Sequence, residues 1–338
     1  MFACKIRAAA FAAAAALAIP AASNAEPADY VLATASTGGT YYPVGVALAT
    51  LVKVKLQPGE GIGMSAINSA GSGENVRLLR EDEAQFAILQ GLFGYYAASG
   101  TGPLEEEGAQ ENLRAVTMLW QNVEHFILAN DHVADGTLSD VTALEDGTAM
   151  ALGRQNSGTI GSNAALLGGL GVDIYGAFDL VHAGYGPSAE ALQNGQVAGI
   201  STPAGVPVGA VSQLMAAAGD SVTLLNVTAE ELAAADDGRD LWTPYTIPAG
   251  TYPGQEADVT TIAQPNFLAT NADVSEDNVY RITKTIYENL PFLQAIHPAT
   301  NAMAIEKAIA GLPLPLHPGA ARYYQEIGID IPDRLIAN

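Results

Sequence analysis

The sequence predicts an α/β protein built from two lobes. Short β-like runs alternate with helix-like runs, which favours sheets with right-handed crossovers over an antiparallel barrel. About 310 residues remain after an N-terminal targeting segment, and this is more than one hydrophobic core usually holds. Two lobes are therefore the expected organisation.

Short apolar runs along the chain have the length and composition of strands, and helix-like runs such as ENVRLLRED and SAEALQNG separate most of them. The last third is expected to hold irregular chain over 240–258, then a strand at TTIAQPNFLAT and helices around 275–290 and 318–327. The other strand candidates are YVLATA (30–35), GMSAIN (63–68), QFAILQ (85–90), FILAN (126–130), AMALG (149–153), FDLVHA (178–183), VAGIST (197–202) and VTLLNV (222–227).

The first 25 residues are typical of a secretory signal peptide. Lys5 and Arg7 precede the apolar run AAAFAAAAALAIPAA, and small residues up to Ala25 form the expected cleavage site. The single cysteine, Cys4, leaves with this peptide, so we expect no disulfide and no thiolate site in the mature chain. The mature protein is predicted to be exported to the periplasm.

The charge balance is strongly acidic. The chain carries 14 basic and 36 acidic residues, a net charge of −22, and the loss of Lys5 and Arg7 leaves −24. Such a surface repels nucleic acids and anionic lipids, so neither is an expected partner. We expect a monomer that binds a small molecule.

Glycine-rich loops follow several of the predicted strands and precede helices. Thr40, Ser72 and Ser157 stand where helix N-caps belong. The carboxyl ends of strands line the ligand crevice of α/β sheets, and helix N-termini bind anions. The pattern predicts a cleft for a small anion or zwitterion; ordinary βα turns are the alternative. The loops are STGGTYYP (36–43), SAGSGEN (69–75), QNSGT (155–159) and TPAGVP (202–207).

Other functional motifs are weaker. GYGPSA (184–189) matches a dinucleotide-binding pattern, but Pro187 and the absence of a strand-end acid about twenty residues later argue against it. The histidines have no zinc-site spacing, so neither metal nor cofactor is expected. Ser157 with His182 as its base would make the protein a periplasmic hydrolase. That alternative stays open, as does a sensor or scaffold that binds no solute.

The motifs GGTYYP, SAGSGEN, NSGT and AGVP are joined by IPAGTYPGQEADVTTIA (247–263) and by HPGAARYYQEIGI near the end of the chain. With these motifs the chain resembles the TAXI family, the extracytoplasmic solute-binding subunits of TRAP transporters. The resemblance implies two α/β lobes of class II-like periplasmic-binding-protein architecture, with a hinge and an interlobe cleft. It also implies a non-enzymatic protein that delivers its solute to a permease of fused small and large subunits, driven by an ion gradient.

The resemblance also implies a ligand site. This chain has Gly73 where family members often have serine, and Asn156 where they often have glycine. The solute could therefore be a glutamate-like amino acid, a 2-oxo acid or a C4–C5 dicarboxylate. The implied contacts are Gly39, Thr40, Tyr41, Ser72, Asn75, Gln90, Ser157, Gly158, Thr159 and Gly205.

Lobe boundaries follow from the same pattern. Lobe 1 is predicted to comprise 26–128 plus 258–338 and lobe 2 to comprise 129–257, with crossings near FILAN and VTTIA. Closure about the hinge is expected on ligand binding.

Arg154 is the one cationic side chain that we predict at the site. It and Arg239 are the basic residues of lobe 2, and Arg154 follows a strand three residues before Ser157. Its guanidinium can hold a carboxylate in a bidentate pair, so Arg154→Ala is expected to weaken a dicarboxylate by about 2–4 kcal/mol. The alternative is a surface arginine paired with Glu145 or Asp146, worth about 0–1 kcal/mol.

Overall fold

Two mixed β-sheets organise the protein, as shown by a computed structural model that describes residues 27–337. The predicted signal peptide and its cleavage site lie outside the described residues. The strands are β1 (Ala28–Ala33), β2 (Ile62–Ile67), β3 (Phe86–Gln90), β4 (Leu113–Val123), β5 (Phe126–Ala129), β6 (Thr148–Ala151), β7 (Phe178–Leu180), β8 (Gly199–Ser201), β9 (Val222–Leu224), β10 (Thr243–Ile247) and β11 (Val259–Asn271).

Helices separate most of the strands. Within the described chain no helix has the length and apolar character needed to cross a membrane. The α-helices are α1 (Tyr41–Glu60), α2 (Ser72–Arg80), α3 (Gly91–Ser99), α4 (Ser139–Thr142), α5 (Gly158–Gly169), α6 (Ile174–Ala177), α7 (Tyr185–Gln193), α8 (Gly209–Ala218), α9 (Ala229–Asp236), α10 (Glu276–Glu288), α11 (Leu290–Gln294) and α12 (Pro318–Glu326).

The first sheet has the order β10-β11-β3-β1-β2, with β4 on the other side of β11. β1, β2 and β3 are parallel, whereas β11 runs antiparallel to β3, β4 and β10. The second sheet has the order β7-β6-β8-β5-β9, in which β6 is parallel to β7 and β8, and β5 is antiparallel to β8 and β9. The carboxyl ends of the parallel strands therefore lead into the glycine-rich loops.

Each sheet carries its own hydrophobic core. Leu32, Phe86 and Phe267 are fully buried in one cluster around the first sheet. The second sheet is covered on both faces, since Ile127 belongs to one cluster and its neighbour Leu128 to another. This alternation is the two-residue period of a strand buried on both sides.

Most of the predicted elements are confirmed, but two strands were missed. β4 is buried along nearly its whole length, so it lacks the alternation that marks a half-exposed strand. β10 lies in the segment 240–258 that was predicted to be irregular, which is wrong: it pairs with β11 from Thr243 to Ile247. Pro244 within the strand, and Pro248 and Gly250 just after it, conceal the strand in the sequence.

The chain passes between the two sheets at two places. One crossing lies between β4 and β5, at Glu124 and His125, and β11 runs beside it. The other lies between β9 of the second sheet and β10 of the first. β10 pairs within the first sheet although it lies inside 129–257, while Ile247 packs into the core of the second sheet. The lobe boundaries given above remain a proposal.

Candidate binding cleft

A buried cleft lies between the two sheets where the glycine-rich loops meet. It offers about 30 Å³ to the centre of a water-sized sphere, room for one or two water molecules. All four predicted loops contribute to its lining, as does the end of β3. The lining residues are Ala35, Ser36, Gly39, Thr40, Tyr41, Ala70, Gly71, Ser72, Gln90, Asn122, Gly158, Thr159, Tyr185, Pro203 and Ala204.

The cleft is lined without charged side chains among the described residues. The helices α1, α2, α5 and α7 all begin at it, and each presents the positive end of its dipole. Seven of the residues predicted for the site line the cleft: Gly39, Thr40, Tyr41, Ser72, Gln90, Gly158 and Thr159.

Of the predicted helix caps, Thr40 is confirmed as the N-cap residue of α1 but makes no side-chain cap, and Ser72 is wrong. Thr40 precedes α1, but its hydroxyl donates to the Gly205 carbonyl at 2.8 Å instead of capping the helix. Ser72 is the first residue of α2, and Gly71 is the N-cap; the Ser72 hydroxyl accepts a hydrogen bond from the Gln90 N–H at 3.1 Å. In both cases a contact distant in sequence replaces the local one.

The Ser157 cap is confirmed. Its hydroxyl accepts from the Ile160 N–H at 3.0 Å at the start of α5 and so faces its own helix. His182 donates from Nδ1 to the Gly153 carbonyl at 3.2 Å, and no hydrogen bond joins it to Ser157 in the part of the chain described. Ser157 therefore has no base beside it.

Asn75 and Gly205 lie behind the lining. The Asn75 amide donates to the carbonyls of Thr34 at 2.8 Å and Ile88 at 2.9 Å, and it thereby joins β1 to β3. Gly205 faces the Trp120 indole, and a Cβ added there would lie 2.7 Å from that ring. Both residues support the cleft from outside.

Arg154 is exposed and lies outside the lining. Its guanidinium donates to the Ser69 carbonyl at 3.1 Å, across to the loop that carries Ala70 and Gly71. No ion pair with Glu145 or Asp146 is formed among residues 27–337. The side chain therefore lies at the edge of the cleft.

Tyr185, from the rejected dinucleotide motif, is a lining residue that the sequence did not single out. Its hydroxyl donates to the Pro203 carbonyl at 2.6 Å and lies 2.8 Å from the Thr159 hydroxyl. A Cβ added to Gly39 would lie 3.0 Å from the Tyr185 ring. The glycines of these loops thus allow the two lobes to approach each other.

Direct hydrogen bonds between the lobes hold the cleft closed. The Gln90 amide donates to the Gly158 carbonyl at 2.8 Å, and the Glu74 N–H donates to the Asn156 carbonyl at 2.8 Å. The Tyr185 N–H donates to the Ser36 hydroxyl at 3.3 Å. These bonds explain why so little space remains.

A family model matches residues 32–328. The chain belongs to the NMT1-like family. Because the match spans most of the described residues, it includes both sheets and every loop of the cleft.

Solved structures share the fold of this NMT1-like protein. MatC from Rhodopseudomonas palustris, with bound malate, is 16% identical over 89% of this chain and 99% of that chain, with a TM-score of 0.55. A protein from Bordetella bronchiseptica RB50 is 13% identical over 90% of both chains, with a TM-score of 0.52. The periplasmic binding protein BugD is 14% identical over 88% of this chain and 94% of that chain, with a TM-score of 0.50. The predicted two-lobe α/β fold of periplasmic binding proteins is confirmed.

Sequence reasoning also missed the pair Glu124 and His125 behind the cleft. Both side chains are fully buried. Burial raises the pKa of Glu124 to about 8 and lowers the pKa of His125 to about 4. The sequence did contain a signal for this pair, because two ionisable residues interrupt the long apolar segment from β4 to β5.

The closed arrangement of this NMT1-like protein depends on Gly73. A Cβ at this position would lie 2.5 Å from the Asn156 carbonyl oxygen of the other lobe. Gly73→Ala is therefore expected to shift the balance between closed and open lobes by about 1–3 kcal/mol toward the open form. Small-angle scattering should show a larger radius of gyration.

The control is Gly168→Ala in α5, where an added Cβ meets no atom within 4 Å. Gly168→Ala should keep the wild-type radius of gyration, because no neighbouring atom has to move. An unchanged radius of gyration in Gly73→Ala would contradict the role of this contact.

Proposed function

We propose that this protein is an extracytoplasmic solute-binding protein of the TAXI family. It works in the periplasm as a monomer, captures a small carboxylate-bearing solute between its lobes and delivers it to an ion-gradient-driven TRAP permease. The observation that carries the proposal is the convergence of four glycine-rich loops, from both sheets, on one buried cleft.

The chemistry of the lining supports an anion or zwitterion as the solute. Four helix N-termini supply positive potential, and the hydroxyls of Thr40, Ser72 and Thr159 are polar groups that could exchange their bonds within the protein for bonds to a solute. The hydrogen bond from Gln90 to Gly158 joins the two lobes across the cleft. A bound solute would take the place of bonds of this kind. Binding would then proceed by opening and closure about the hinge.

The hydrogen bonds of Ser157 and His182 support a binding protein over the hydrolase. Activation of a serine nucleophile needs a base within hydrogen-bond reach. Ser157 instead uses its hydroxyl to cap α5, and His182 bonds to a backbone carbonyl. In addition, no group of three or more metal-ligating side chains is assembled among residues 27–337.

The test is a solute panel on the mature protein, with L-glutamate, 2-oxoglutarate and malate as the first members; malate is included because MatC, similar in fold, was solved with it. A solute that binds only the folded state adds about 2.7 kcal/mol of stability at one hundred times its dissociation constant. We expect a higher melting temperature and no change in the solute. Turnover would support the hydrolase, and no shift with any solute would support a sensor or scaffold.

Arg154 is retained as a proposed contact at the edge of the cleft. Because its guanidinium is exposed, we expect Arg154→Ala to weaken a dicarboxylate by about 1 kcal/mol, less than the sequence alone suggested. The control is Arg239, whose guanidinium donates to the Ala235 and Asp236 carbonyls. Arg239→Ala should bind the solute as the wild type does. Titration calorimetry decides: equal affinities for the two variants would remove Arg154 from the site.

A further inference from the structure

Glu124 is a buried carboxylic acid at the point where the chain passes from the first sheet to the second. Its backbone N–H donates to the Ile262 carbonyl at 2.9 Å, and its carbonyl accepts from the Thr261 hydroxyl at 2.8 Å. The segment between β4 and β5 is thus joined to β11 at this residue. Because the two sheets are connected here, rotation of one lobe against the other would change the packing around Glu124.

The carboxyl group has few partners. Oε1 accepts from the Trp242 indole N–H at 3.4 Å, and Oε2 has no hydrogen-bond partner among the described residues. Burial is the main reason that the pKa of Glu124 rises to about 8, and the nearby polar side chains of Trp242 and Gln264 oppose this rise. A proton on the carboxyl is therefore the favoured state in the closed protein at neutral pH.

The titratable groups that face Glu124 come from both lobes. Burial raises the pKa of the Tyr41 hydroxyl of α1 and of the Tyr185 hydroxyl of α7, and both tyrosines are close enough for the charge of Glu124 to add a smaller rise. His125 is adjacent in the chain, and burial lowers its pKa so that it is neutral. No lysine or arginine within residues 27–337 forms an ion pair with Glu124.

Tyr41 and Tyr185 also line the cleft, from opposite sides. Tyr185 packs against the start of α1, since its ring is 3.0 Å from the position of a Cβ on Gly39. Because they belong to different lobes, opening of the lobes would separate these two rings. Water would then reach the region of Glu124, and hydration favours the ionised carboxylate.

We propose that lobe closure is proton-linked through Glu124, with the neutral acid in the closed form and the carboxylate in the open form. This inference deepens the proposed function, on which it rests, because closure is what retains the solute. Between the pKa values of the two forms, each rise of one pH unit should lower the ratio of closed to open protein about tenfold. Solute would be held more tightly at acid than at alkaline pH.

The experiment follows lobe separation in the mature protein without any solute. Cysteines replace two exposed residues, Lys53 of α1 and Glu190 of α7, and spin labels on them report the distance by pulsed electron resonance. We expect the wild-type background to change from closed to open as the pH rises from about 5 to about 9. Glu124→Gln should stay closed throughout.

The matched control is Glu145→Gln, an exposed residue, which should respond to pH as the wild type does. A pH response that is the same in Glu124→Gln, or absent from the wild type, would overturn the proposal. Infrared spectra of the unsubstituted protein give a second measurement, since the band of a protonated carboxyl should disappear in step with opening. Because no solute is needed, a protein that closes as expected yet binds nothing would refute the proposed function alone.

Discussion

Glu124→Gln is expected to make the protein more stable at alkaline pH by about 3–6 kcal/mol, with almost no effect below pH 4.5. The folded protein keeps the proton of Glu124 up to a pKa of about 8, whereas the unfolded chain loses it near 4.5. Wild-type stability therefore falls as the pH rises through this window. Glutamine is neutral at every pH and can still accept from Trp242.

Urea unfolding of the two proteins between about pH 4 and pH 9 measures this difference in the free energy of unfolding. Subtracting the curves removes the contribution of the many surface acids, which both proteins share. Glu145→Gln, at an exposed site, should show no pH-dependent difference from the wild type in the free energy of unfolding. A difference that does not vary with pH would mean that Glu124 is already ionised in the folded protein.

Tyr252→Phe is expected to destabilise the protein by about 2–5 kcal/mol. The hydroxyl of this buried tyrosine accepts from the Val208 N–H at 3.0 Å and donates to His125 Nε2 at 2.7 Å. His125 in turn donates from Nδ1 to the Val123 carbonyl at 2.8 Å. Loss of the hydroxyl leaves a buried donor and a buried acceptor without partners.

The comparison variant is Tyr175→Phe, because Tyr175 is 62% exposed and its change should cost less than about 0.5 kcal/mol. Both proteins should also lose stability on acidification. Burial lowers the pKa of His125 from 6.5 to about 4, so the unfolded chain binds a proton in this window and the folded protein does not. A cost near zero for Tyr252→Phe would indicate that water replaces the hydroxyl.

The sequence determined the local features of this protein. The alternation of short apolar runs with helix-like runs predicted most strands, including β1, β3 and β6, because a buried strand requires apolar residues wherever it lies. The glycine-rich loops predicted where helices begin, and the Ser157 cap was correct because its partner, Ile160, is three residues away. The partners of such contacts lie within one helical turn of each other, so the local sequence determines them.

Only the tertiary structure decided which of these residues meet. Thr40 bonds to Gly205 and Ser72 to Gln90, partners so distant in sequence that no local pattern can indicate them. Asn75, predicted for the site, is used instead to join two strands. The free energy of a hydrogen bond depends on the partner and its burial, and both are fixed by the packing of the two lobes.

The surroundings of the ionisable residues were likewise decided by the fold. From sequence, Arg154 was the candidate charge of the site and Glu124 was one acid among many, yet Arg154 is exposed and Glu124 is fully buried. Composition and spacing determine which charges the chain carries. Their pKa values depend on burial and on neighbours brought together by β4, β11 and α1, and this is information that only the assembled structure contains.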